Sequence, residues 1–476
     1  MEQWLSTATS LTIASAYMKG ANMQRLLFLL LTSILILSGC ENQPEKPKVE
    51  STKPAQPAAQ LVLPQPATLF AEPTQPHLFE LTSEALQVWR HVEEVKPPLV
   101  LFVNDPSLYL LRDDQIPDVA ELIRSGQAED FNLRGSFFRV NPTLTPSQAV
   151  SAAIENGLFS EVVWVIPARN PIEELRLDIF RKQLVDTGLL TPPEGNTLEY
   201  ADGVFTGKMR GIDLRVVHPT RLPDFQTPVV VHFDTGYFKG MFKNEVATPL
   251  YTILHQTASE IAGKKWQVYA TTLSASTSEQ AFSLDVRFLT AALARMIEDP
   301  VLLEKMPTSW KLHADSMYVG KMYMESQSQE LLEKAALENQ DNPALVYALS
   351  KLRFMQKRNA EALNLLRTAI RLDPGYATAW EQLAATLLEN GDLEKGLEMI
   401  REAIAAAPEN PMLRITEVNL LADLGRIDEA LAIVDQLKQL PWSKSFHSGM
   451  PDFLERLAED IKNPKPAQTQ SKDKAE

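Results

Sequence analysis

The chain has 476 residues, of which 45% are hydrophobic and 22% charged, so it can bury real cores and is long enough for two or more domains. Its 61 acids outnumber 46 bases for a formal charge of -15, which argues against nucleic acid, a partner that needs a basic footprint. The same balance argues against adsorption to anionic lipid by charge, and the single cysteine, Cys40, leaves no disulfide framework.

Residues 1–22 precede a better-proportioned start at Met23. There a short basic segment, Met23-Gln24-Arg25, leads into the apolar run Leu26 to Leu37 and then Leu37-Ser38-Gly39-Cys40. A basic start, a short apolar stretch and small residues before a cut describe a secretory signal, and the run is too short to span a bilayer. An ordinary signal with a chance cysteine, or a buried helix, would also fit these residues. Leu-Ser-Gly-Cys resembles the lipobox of bacterial lipoproteins. That resemblance implies removal of residues 1–39, acylation of Cys40 and attachment to a membrane. Glu41, where aspartate would retain an enterobacterial lipoprotein in the inner membrane, implies the outer membrane, facing the periplasm.

Residues 40–77 carry eight prolines between Pro44 and Pro76 and are expected to form an extended tether. Residues 78–324 alternate strand and helix patterns. Strands are expected at Leu99–Val103, Ser136–Val140, Val162–Ile166, Val229–Phe233 and Trp266–Leu273. Helices are expected at 116–125, 146–156, 172–187, 249–262 and 283–297, with a hairpin over 197–215 whose turn residues are Asp202-Gly203, and with Lys208-Met-Arg-Gly211 before Ile212–Val217. That alternation implies crossover units and a mostly parallel sheet covered on both faces.

From about residue 325 the strand patterns vanish and a 34-residue period takes over. Ala362, Gly396 and Ala430 share it, as do Leu366, Ile400 and Val434, Ala369, Ala403 and Leu437, and Gly391 and Gly425. This is the period of the tetratricopeptide repeat, in which two antiparallel helices pack closely where one side chain is nearly absent. Three copies are expected within 325–463, starting near Pro343, with Met450–Lys462 as a capping helix. Residues 464–476 are expected to be disordered. By resemblance to that family, the first helix of each pair lines a groove for a protein or peptide, made here by Tyr347, Lys351, Phe354, Thr378, Glu381, Ala385, Leu388, Met412, Ile415 and Asn419. Glu381 and Ala385 stand where some relatives carry a Lys/Asn clamp for a terminal carboxylate, so an apolar or extended segment is the expected ligand. The same face could instead pack on the α/β domain.

In an open parallel sheet, ligands collect at the carboxyl ends of the strands. Asp105, His232 and Asp234 stand at such ends, and alternation along the strand puts His232 and Asp234 on one side. This part remotely resembles the arginase- and deacetylase-like α/β hydrolases, and that resemblance implies a metal-dependent hydrolase as the alternative to a binding protein. Ligands are missing, however: His232 replaces the first acid, Gly236 a later one, and no Gly-Gly-Asp-His stretch exists. The expected reading is a buried structural pair, with no metal and no cofactor. Ser274 and Ser276 are expected to be turn or cap residues.

Overall fold

The computed structural model describes residues 63–168, 176–276 and 283–463. Cys40, the signal run, most of the tether, the start of the expected helix at 172 and the tail lie outside them. Of the described residues, 63–137 and 142–379 form one compact unit, and 138–141 with 380–463 form the other.

The first unit is built on one sheet. Its strands are β1 (Ala67–Thr68), β2 (His77–Phe79), β3 (Pro98–Phe102), β4 (Glu161–Val165), β5 (Glu199–Ala201), β6 (Val204–Met209), β7 (Ile212–Val217), β8 (Val229–Asp234) and β9 (Gln267–Ser274). Their order is β1-β9-β8-β3-β4-β7-β6-β5, with β2 also on β9. The central ladders β9-β8-β3-β4-β7 are parallel, while β1 and the hairpin strands β5 and β6 run antiparallel. Runs such as Val229-Val-Val-His-Phe-Asp234 are buried on both faces, as expected where helices cover a parallel sheet on each side. Asp202-Gly203 and Arg210-Gly211 all take positive φ, the backbone that two-residue hairpin turns require.

Two expectations fail here. Residues 63–77 were assigned to the tether by their prolines, yet β1 pairs with β9 and Leu69 and Phe70 are buried, so the folded body starts earlier. Two apolar side chains outweigh the flanking prolines. Ser136–Val140 forms no strand. Phe138–Asn141 instead packs with the C-terminal helices, where the Ser443 N–H donates to the Val140 carbonyl at 3.0 Å and Arg139 pairs with Glu409 at 3.2 Å.

Beyond the sheet the described residues are helical, and they hold four helix pairs rather than three. The added pair, Thr308–Lys321 with Glu325–Glu338, comes first, so the repeat region opens before the expected boundary at 325. Second helices start at residues 325, 359, 393 and 427, each 34 after the last. The small-residue column therefore reads Ser328, Ala362, Gly396, Ala430. Ser316 and Ser350, also 34 apart, each donate to the carbonyl of that column, at Ser328 and Ala362, both at 2.8 Å. Turns follow the same count: Tyr323, Lys357, Gly391 and Gly425 take φ of 61°, 60°, 79° and 75°.

Gly396 shows what the small column is for. A Cβ there would come within 2.4 Å of Leu388 Cδ2. Gly396→Leu should therefore lower stability by about 1–3 kcal/mol, the usual cost of overpacking. Urea unfolding followed by circular dichroism would test this, and an unchanged midpoint would contradict the packing described.

Candidate functional site

Two places deserve the comparison: the carboxyl ends of β8 and β9, and the first-helix face of the repeats.

β8 and β9 are in parallel register, His232 opposite Thr272 and Asp234 opposite Ser274. His232 and Asp234 thus share a face, as alternation requires, but neither is available to a ligand. Asp234 caps the helix Thr235–Met241, its Oδ1 accepting the Gly236 N–H at 2.7 Å. Its Oδ2 accepts from Ser274 Oγ at 2.7 Å and from Ser276 Oγ. Ser276 sits at φ 51°. Ser274 also lies 3.1 Å from Thr82 Oγ1 and 3.3 Å from His232 Nε2. The other ring nitrogen of His232 is 2.9 Å from Thr272 Oγ1, which in turn accepts from the Trp89 indole at 3.1 Å. The Trp89 ring stands edge-on to the imidazole at 5.4 Å.

All of these groups are buried, and the electrostatics follow from that. Burial pushes the His232 imidazole down to about 3 and raises the Asp234 carboxyl, against the pull of its three hydrogen bonds. Asp105, at the end of β3, accepts the Ser107 N–H at 2.9 Å and is likewise raised by burial. It adds a weak like charge to Asp234. Beyond the carboxyl end of β8 the helix packs closely on the ends of β3 and β4: a Cβ on Gly240 would lie 2.7 Å from Pro167 and 3.3 Å from Asn104 Oδ1. Among the described residues no three His, Cys, Asp or Glu side chains are grouped to hold a metal ion. Asp105, His232 and Asp234 therefore do not assemble the donor set of a hydrolase, since His232 and Asp234 already spend their polar atoms on Ser and Thr hydroxyls. The sequence reading missed Ser274 and Ser276, which bind the carboxylate as well as ending a strand. The available signal was their alternate spacing on the strand beside Asp234.

The repeat face divides by pair. In the first two pairs the chain's own sheet domain takes it. His313 lies 3.1 Å from the Tyr251 hydroxyl and edge-on to Phe288. One pair later, at the equivalent position, Tyr347 is buried against Tyr376, with ring centroids 4.9 Å apart. Lys351 Nζ meets both oxygens of Asp285 at 2.6 and 2.7 Å. Arg287, on the sheet side, donates from Nε and Nη2 to Asp373 at 2.7 and 2.8 Å and from Nη1 to Glu80 at 2.6 Å. Tyr347 and Lys351 are therefore engaged within the chain, and Phe354 is half-buried beside them.

In the last two pairs Glu381, Ala385, Met412 and Asn419 are half-buried, Ile415 is buried, and Leu388 turns into its own hairpin against Gly396. Thr378, where the third pair begins, is also half-buried. Burial pushes the Glu381 carboxyl up to about 7, so near neutral pH it is only partly ionised.

Sequence-family models described as tetratricopeptide repeat match residues 326–377, 353–412 and 387–440. Residues 326–440 are thus tetratricopeptide repeats following a mostly parallel α/β sheet, and repeats of this kind suggest a protein-interaction module. No curated protein matches the chain. Among the described residues no helix is long and apolar enough to cross a membrane.

Proposed function

We propose that this is a lipid-anchored protein of the bacterial cell envelope whose repeats hold an extended, largely apolar segment of a protein partner. The observation that carries the partner reading is the contrast within the repeat face. In its first two pairs His313 and Lys351 are held by the chain's own Tyr251, Phe288 and Asp285, whereas in the last two the half-buried Glu381, Ala385, Met412 and Asn419 are left for a partner. Raised to about 7, Glu381 suits an apolar ligand better than a basic one. Anchoring rests on Leu37-Ser38-Gly39-Cys40 and its apolar approach; with Glu41 next, the outer membrane facing the periplasm is the favoured location.

One experiment addresses both parts. A photo-crosslinking residue at Asn419 should capture a discrete protein in intact cells, while the same residue at Lys351, held by Asp285, should capture none. Equal capture at the two positions, or none at either, would defeat the groove reading. In the same cells Cys40→Ser should abolish incorporation of labelled fatty acid and move the protein to the soluble fraction. Two or more acyl chains are needed because a single chain anchors only marginally. A wild-type protein that never labels would defeat the anchor.

A further inference from the structure

The turn of the first helix pair places an aromatic residue at a left-handed position. The third and fourth pairs carry Gly391 and Gly425 there, whereas the first two carry Tyr323 at φ 61° and Lys357 at φ 60°. An aromatic residue there is strained where glycine would not be, and nothing inside the fold is gained in exchange, because Tyr323 is 92% exposed. Met322 and Met324 on either side are about half exposed, at 49% and 50%. The neighbouring turn, joined to this hairpin by Gln356 Nε2 on Gln329 Oε1 at 3.3 Å, adds Met355 at 73% exposure. Lys321 and Glu325 stand exposed on either side of this turn, and Lys357 is exposed in the neighbouring one.

The patch is a projecting turn, with nothing concave about it to receive a peptide. A tyrosine ring with a polar tip, flexible thioethers and flanking ammonium groups is the chemistry that suits a bilayer interface, where aromatic rings sit at headgroup depth and lysines reach the phosphates. We propose that the turn Met322–Met324 is a membrane-inserting tip, led by Tyr323, that seats this face of the protein in the headgroup region of a phospholipid bilayer. The proposal goes beyond the peptide-binding reading and does not depend on acylation of Cys40.

The test uses the full chain with Cys40→Ser and a single new cysteine, Met324→Cys, carrying an environment-sensitive fluorophore. The control places the label at Leu337→Cys, which is 71% exposed at the far end of the helix Glu325–Glu338, about 20 Å away at ~1.5 Å per residue. Vesicles of phosphatidylethanolamine and phosphatidylglycerol are added to each. We expect a severalfold rise and a blue shift in emission at 324, quenched by nitroxide-labelled lipid, with little change at 337. The apolar run at 26–37 is common to both chains, so any binding it causes cannot produce this difference. Adding Tyr323→Gly should remove most of the rise without lowering the melting temperature, since glycine accepts this φ without strain. Equal responses at 324 and 337, or a full rise in Tyr323→Gly, would overturn the proposal. So would a response to soluble envelope proteins with none to vesicles, which would identify a protein partner instead.

Discussion

Arg287→Ala is expected to lower folding stability by about 3 kcal/mol, the lower end of the range for removing one partner from a buried ion network. The Arg287 side chain is 9% exposed and its two acids, Glu80 and Asp373, 24% each. Burial alone would push the guanidinium down, but the Asp373 hydrogen bonds and the charges of both acids hold it above its usual value. Its carbon also sits 5.7 Å over the Tyr376 ring. Alanine would leave two carboxylates facing each other with no cation between them. Gly375 belongs to the same device, because a Cβ there would lie 1.9 Å from the guanidinium carbon. Urea unfolding should show Arg287→Ala well below wild type, and Arg287→Lys only partly restored, since lysine cannot make the bidentate contact to Asp373. A lysine variant as stable as wild type would show that charge, not geometry, holds the network.

Acid should weaken the first unit through two histidines. Burial lowers His232 to about 3 and His313 to about 4, although Asp285 pulls the latter up. A base whose pKa is depressed by folding contributes its full stability above the unfolded value of 6.5, and loses it as pH falls from there toward the folded value. At about pH 5 each histidine has therefore given up ~2 kcal/mol relative to about pH 7.5, at roughly 1.4 kcal/mol per unit. Asp105 and Asp234, raised by burial, act in the opposite sense, as does Glu381 in the other unit. The decisive quantity is therefore a difference between proteins. The loss of stability from about pH 7.5 to about pH 5 should be ~2 kcal/mol smaller in His232→Gln than in wild type, and similarly smaller in His313→Gln. Parallel pH profiles would show that neither imidazole is held neutral.

What the sequence revealed and what it hid follow one line. Contiguous β-branched runs such as Val229–Val231 and Val162–Val163 are a local signal, and they became central strands. The hairpin was legible because its turn Asp202-Gly203 is local too, and the structure adds a second left-handed turn at Arg210-Gly211. The 34-residue period was visible wherever glycine or alanine filled the small column, even in the second pair, whose turn carries Lys357. It was lost in the first pair, where Ser328 and Tyr323 stand instead. Ser136–Val140 had the side chains of a strand, but Phe138–Asn141 packs with the C-terminal helices instead of joining the sheet, a choice settled only by distant residues. The same is true of Asp234. Its partners, Ser274 and Ser276, lie 40 and 42 residues away and meet it only through the register of β8 with β9. The groove residues Tyr347 and Lys351 were identified by position within a repeat, but what meets them is distant in sequence: Tyr376 of the following turn covers Tyr347, and Asp285 of the α/β domain holds Lys351.

Repeat arrays commonly lengthen by duplication of one unit, because each copy touches only its neighbours. Here that freedom is absent at the amino end. Tyr251 and Phe288 meet His313, Asp285 meets Lys351, and Arg287 meets Asp373, so successive parts of the first two pairs are matched to fixed points on the sheet domain. A copy of the first, third or fourth pair inserted ahead of Pro343 would lie opposite Asp285 and Arg287 without the lysine and aspartate they need, since those pairs carry Met317, Ala385 and Asn419, and Asn339, Ala407 and Pro441, at the two positions. At this end, copy number is set by the sheet domain and not by the stacking of the repeats.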